Sequence, residues 1–277
     1  SHMLGVLGGG NNIVLPVSVA ASGKEGEFVI DDKPFFYGEI PGVRYGAVNL
    51  PGKFEGATIR EFRVSYPTGE GRRLDSFVTA MAELVSEEKV AQLRERGKEL
   101  ETIDYPSREI PVVDMEKFYS NPEMAEGKIV MIGAVNEASD MHGTPVRSSM
   151  AGIMIHAQAL STVLDEAFYS SMPKWFDEFV AMSLCFLMIL MSIGMTTKFK
   201  GILIRIVQVT LVYLAIRIGY SLYVDHKVIL DFSLTLLMIA FGTFAIDIWN
   251  GFDGMIQGGV KGARKIRNKL KERNKEI

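Results

Sequence analysis

Three long apolar runs fill the final third of the chain, and they limit what it can fold into. Phe179 to Met195 is a run of about 17 apolar or small residues, opened by Pro173 and Trp175. Ile202 to Val224 is a second, broken only by Arg205, Gln208 and Arg217, and Val228 to Trp249 is a third, holding Asp231 and Asp247. Each approaches the roughly 20 residues a helix needs to cross a bilayer. Proline suits a first helical turn and tryptophan the interfacial belt. As core helices of a soluble domain, three such runs would carry more apolar surface than a domain this small can cover. The runs predict three transmembrane helices near 176–195, 202–224 and 228–249, within a block spanning 172–250.

Charge divides the chain in the same places. Residues 1–172 carry sixteen basic and twenty-five acidic side chains, whereas the segment from Lys261 onward carries eight basic and two acidic. Lysine and arginine collect on the cytoplasmic side of membrane proteins. Lys198 and Lys200 after the first run, and the basic tail 251–277, therefore belong inside, and the acidic domain 4–171 belongs outside. A basic segment directly after a membrane helix lies on anionic lipid, so no nucleic-acid partner is expected. Within the bilayer, lone charges are costly. Spans two and three run antiparallel through a short loop, which predicts pairing of Arg217 with Asp231 near the outer face and Arg205 with Asp247 near the inner face. Cys185, the only cysteine, sits in an apolar run and excludes an intrachain disulfide.

Between the soluble and apolar parts lies the stretch Lys128 to Leu164. Lys128-Ile129-Val130-Met131-Ile132, stopped by Gly133, reads as a strand covered on both faces. A polar loop closes on Thr144-Pro145, and Ile153, Ala157, Leu160 and Leu164 then recur at the spacing of one helical face. That helix points down the chain toward the first apolar run, about eight residues on, a link too short to hold a long flexible loop.

The run GKIVMIGA, then Asp140, His142 and Thr144-Pro145-Val146, then Gly152 to Ala159, resembles the carboxy-terminal half of a type-two CHASE domain. The similarity extends upstream through Asn12 to Pro16, Gly46 to Leu50 and Thr58 to Tyr66. The resemblance implies a bacterial extracytoplasmic sensor domain followed by three membrane helices. It also implies a leading membrane helix and first strands ahead of Leu4. The chain, whose Ser1-His2-Met3 reads as a tag remnant, is thus expected to be truncated and its sheet short of strands.

The remaining elements fit an α/β domain, a mixed sheet with flanking helices. Ile13 to Val19, Tyr45 to Leu50 and Thr58 to Tyr66 read as strands, and residues 22–44, rich in glycine and proline, as an irregular loop. Asp75 is placed to cap a helix through Leu84. Ser86 restarts or extends it through the charged run to Glu101 as a solvent-facing helix, with a short strand at Thr102 to Tyr105 and a helical turn at Asp114 to Tyr119.

Motifs that would carry catalysis are weak. Leu4 to Gly10 is glycine-rich, but no strand precedes it and a strand rather than a helix follows, the wrong order for a phosphate loop. Asp140, His142 and His156 are the one tempting metal cluster, and zinc asks for three or four ligands with outer support. His142 and Asp140 are better read as ordering their loop, and His156 as satisfying buried polar groups. Ser148 and Ser149 lack the strand–turn–helix elbow of a serine nucleophile. No catalytic residue, metal or cofactor is therefore expected. The loop and coupling residues to watch are Asp140, His142, Thr144, Pro145 and His156.

The sequence thus reads as a multi-pass membrane protein with an extracytoplasmic sensory or interaction module and no output domain of its own. Its expected partners are membrane lipids and either a partner protein or a second copy, and a small-molecule ligand is compatible with the domain. The rival reading is an accessory subunit of a transporter or envelope complex, motivated by Arg205, Arg217, Asp231 and Asp247.

Overall fold

The computed structural model describes residues 12–34, 37–51, 57–69, 71–105, 109–194, 200–230, 234–237, 244, 248, 251–252 and 254–264. The chain divides into two compact units, Ser1–Tyr169 and Ser170–Ile277.

The first unit is mixed α/β, built on a five-stranded sheet of order β3-β1-β2-β5-β6. The long strand β1 (Ile13–Ala21) changes partner along its length. Its first half runs parallel to β3 (Val43–Ala47), pairing Ile13 with Val43 through Val17 with Ala47. Its second half runs antiparallel to β2 (Phe28–Asp32), after an irregularity between Ser18 and Val19. β5 (Ser65–Thr68) and β6 (Arg72–Asp75) complete the sheet as an antiparallel pair. Separate small pairs join β4 (Glu61–Arg63) to β7 (Leu100–Thr102), and β8 (Met141–His142) to β9 (Met150–Ala151).

Capping sets the helices. Helix α1 (Phe77–Val85) starts at Ser76, whose Oγ accepts from the Thr79 amide at 3.2 Å, so Ser76 and not the expected Asp75 is the cap. Ser86 then serves twice. Its amide donates to the Ala82 carbonyl at 2.8 Å to close α1, and its Oγ accepts from the Lys89 amide at 3.3 Å to open α2 (Glu87–Glu95). After the short α3 (Met115–Ser120) comes α4 (Gly152–Leu164), the helix the spacing predicted. Its fully buried stripe is Ile155, Ala159 and Val163, one or two positions off the expected face. Val78 and Met81 of α1, Leu93 of α2, and Ile103 join it in one core.

Four sequence expectations need correction here. Lys128 to Ile132 is neither a strand nor buried: Ile129, Val130 and Ile132 are 44%, 47% and 71% exposed. An apolar run becomes a strand only when a neighbour pairs with one of its edges, and no described strand pairs with this one. The charged helix stops at Glu95, because Gly97 takes φ +65° and turns the chain into β7. The short strand expected at Thr102 to Tyr105 accordingly lies earlier, at Leu100–Thr102. Within 22–44, Phe28–Asp32 forms a strand despite its glycine-rich surroundings, since β1 offers it an edge.

In the second unit, α5 (Lys174–Gly194) and α6 (Lys200–His226) cover the first two apolar runs. The segment Arg205–His226 is long and apolar enough to cross a membrane and is fully unburied, the one such helix among the described residues. A two-residue parallel pairing, Ser170 with Val228 and Ser171 with Ile229, joins the start of α5 to the end of α6. Most of the expected third span, 228–249, lies outside the described residues.

Candidate functional site

Two places in the first unit gather polar side chains in a buried setting. The first is a cleft of about 950 Å³. Its walls are the first half of β1 (Ile13 to Pro16) and the unpaired segment Lys128 to Ile132, and its floor includes Phe77 and Met81 of α1 with Ile153 and His156 of α4. Asp140 and His142 stand at its edge, so three of the five loop residues picked from the sequence line one cleft.

His142 Nε2 lies 3.4 Å from Asp140 Oδ1, both partly exposed. Thr144 is buried and lines a different turn: its Oγ1 donates to the Arg147 carbonyl and accepts from the Arg147 amide, both at 3.0 Å. Pro145 is exposed on that turn. His156 faces the Val48 carbonyl through Nε2 at 3.1 Å and packs edge-on against Phe77, with ring centroids 5.7 Å apart. Its Nδ1 is buried without a hydrogen-bond partner, so the expectation that His156 satisfies buried groups holds for one ring nitrogen only. A Cβ at Gly152 would press on the Asp140 carboxylate, which would have to turn aside. Among the described residues no cluster of three or more histidine, cysteine or carboxylate side chains could hold a metal.

Burial holds the His156 imidazole below its ordinary value, against the opposing pull of the Val48 hydrogen bond and Asp140 and with the repulsion of His142. A base depressed in the folded state contributes stability that is present above its unfolded value, near 6.5, and is lost as the pH falls through it. The opening free energy at the Val48 amide, bonded to the Val17 carbonyl at 3.0 Å, is therefore expected to fall between about pH 7.5 and about pH 5.5. Hydrogen exchange corrected for intrinsic rates should show a smaller fall in His156→Gln. An equal fall in both would place the titration elsewhere.

The second place is where the chain leaves the unit. Tyr169 is 1% exposed, and its hydroxyl donates to Asp104 Oδ1 at 2.8 Å. Its carbonyl accepts from Arg96 Nη2 at 2.7 Å and Lys98 Nζ at 3.0 Å. Arg96 in turn donates to the buried Glu101 carboxylate at 2.6 Å and lies over the Phe168 ring at 4.8 Å. This clamp was missed in the sequence, where Arg96, Lys98 and Glu101 belong to a charged run that reads as a solvated helix face. The signal available was Gly97, which ends the helix before them.

Of the four charged residues expected to pair within a membrane, Arg205 and Arg217 lie exposed along α6. Asp231 and Asp247 lie outside the described residues.

Sheet, helices and cleft define a mixed α/β domain. The profile of the CHASE2 domain matches residues 6–195, and the chain belongs to this family of extracytoplasmic sensory domains. No curated protein and no solved structure matches the chain.

Proposed function

We propose that this protein is a membrane-anchored sensory module, held by three transmembrane helices, that passes a signal or holds a partner without catalysis of its own. Membership of the CHASE2 family is the observation that carries this reading. The apolar side chains exposed on α5 and α6 support the membrane part, since a soluble protein rarely leaves residues such as Phe179, Phe186, Ile206 and Val209 in water. With the lysine and arginine bias, the domain lies outside and the tail inside, facing a partner protein or a second copy and anionic lipid. Reporter fusions after Lys200, at His226 and after Ile277 should read inside, outside, inside, and any other order removes the topology.

Transmission needs a stiff connection. Helix α4 ends at Leu164, Tyr169 is clamped five residues later, and α5 begins at Lys174, so little slack separates the domain from the first span. Inserting a few Gly-Ser residues after Ser170 should uncouple output while α4 keeps its exchange protection. Unchanged output with the insert would reduce the connection to a tether.

A further inference from the structure

We infer that the outer ends of the three spans are joined in one clasp, so that movement handed on at Tyr169 reaches all three together and span one does not slide past its neighbours. The inference deepens the sensory reading above and rests on its membrane topology. Three contacts within the second unit make the clasp. Ser170, the residue after the clamped Tyr169, donates its amide to the Lys227 carbonyl at 2.9 Å, and Met172 donates to the Ile229 carbonyl at 3.2 Å. Lys227 takes φ +53°, the left-handed turn that ends α6 and leads the chain into the paired stretch. The third contact lies deeper. Thr235 Oγ1 donates to Asp177 Oδ1 at 2.7 Å, which ties the first turn of α5 to the expected third span.

Packing singles out the same place. Among the described residues of the second unit, only Ala181 and Thr235 are buried. Ala181 stands one helical turn beyond Asp177 on α5, and a side chain so small leaves room for a neighbour to come close. Helices in lipid have no hydrophobic force between them, so close packing and polar bonds decide where a bundle is fixed. Here both occur within a turn or two of Trp175, a residue suited to the membrane interface. The fixed point is thus the outer end, next to the domain. A slide of one strand residue, about 3.3 Å, would carry all three contacts past hydrogen-bond distance. Tilt or rotation of the clasp as a unit breaks none of them. The peptide link to α5 is one route from domain to membrane, and the clasp adds a second, through the main chain between spans two and three.

The test follows hydrogen exchange at the Ser170 and Met172 amides in the full chain, held in nanodiscs of phosphatidylcholine and phosphatidylglycerol. Thr235→Val keeps the side chain's shape and removes its hydroxyl. Thr235 bonds neither amide, so exchange at both that is about tenfold faster in this variant marks one cooperative clasp, the size expected for a hydrogen bond to a charged group. Thr235→Ser retains the donor and should return both amides to slow exchange. Unchanged exchange in Thr235→Val, or a serine variant as fast as the valine one, overturns the clasp. A second measurement needs no change at Thr235. With Cys185→Ser, spin labels at Phe179→Cys and Val224→Cys should give one narrow distance distribution, and a broad one overturns the clasp as well. Neither reading uses an output or a reporter fusion. A loose junction in a chain with the expected reporter order loses the clasp alone, and a clasped chain that transmits nothing loses only the sensory role.

Discussion

Arg96→Leu is expected to destabilise the first unit by about 3 kcal/mol, because it strands a buried carboxylate. Glu101 is 1% exposed, and Arg96 supplies its two closest contacts, at 2.6 and 3.4 Å. With the guanidinium gone, Lys98 at 3.7 Å is the remaining cation, too distant for a hydrogen bond. The same substitution removes a donor from the Tyr169 carbonyl and the cation over Phe168. Native-state hydrogen exchange at the Ile103 amide, bonded to the Arg60 carbonyl at 2.9 Å, reads the loss beside β7. Adding Glu101→Leu should restore most of it, since an apolar pair of similar volume replaces a buried ion pair with little penalty. If the double variant is no better than the single, the lost contacts to Tyr169 and Phe168 dominate instead.

Gly46→Ala should be as damaging, for a steric reason. A Cβ at Gly46 would stand 2.5 Å from Phe77 Cα, 2.9 Å from Phe77 N and 3.0 Å from the Ser76 carbonyl oxygen. All three are backbone atoms at the capped start of α1, so no side chain can swing aside. Relief requires β3 and α1 to separate, and about 3 kcal/mol, the top of the usual overpacking range, is expected. Exchange at the Ala80 amide, which donates to the Ser76 carbonyl at 2.9 Å, should report it. Gly133→Ala is the control, because its Cβ would meet only the Ile153 side chain, whose far end can turn. Equal damage from the two would mean that the approach of β3 to α1 is not the tight one.

Local patterns in the sequence carried most of the elements but little of their partnering. Helix α4 was legible from apolar spacing, and α2 from Ser86 followed by two glutamates, because caps and amphipathic stripes are set within a few residues. Lys128 to Ile132 shows the limit: composition gave it strand character, yet whether a strand forms depends on a neighbour far away in the chain. The clamp was hidden for the same reason. Arg96, Lys98 and Glu101 look like any solvated charge run until Tyr169, about seventy residues on, is brought among them. Asp140, His142 and His156 were legible as a group because β8, β9 and the start of α4 are close in sequence. The open floor beneath His156 was not, since α1 comes from a distant part of the chain.

The two-ended hold on Tyr169 has a mechanical consequence. A residue fixed at one atom can swivel about it. Tyr169 is fixed at its phenol by Asp104 and at its carbonyl by two cations, so both translation and rotation of the backbone there are resisted. Twist imposed on the following residues cannot dissipate at Tyr169 by free spinning. It reaches the domain as torque, borne by β7 and the turn at Gly97.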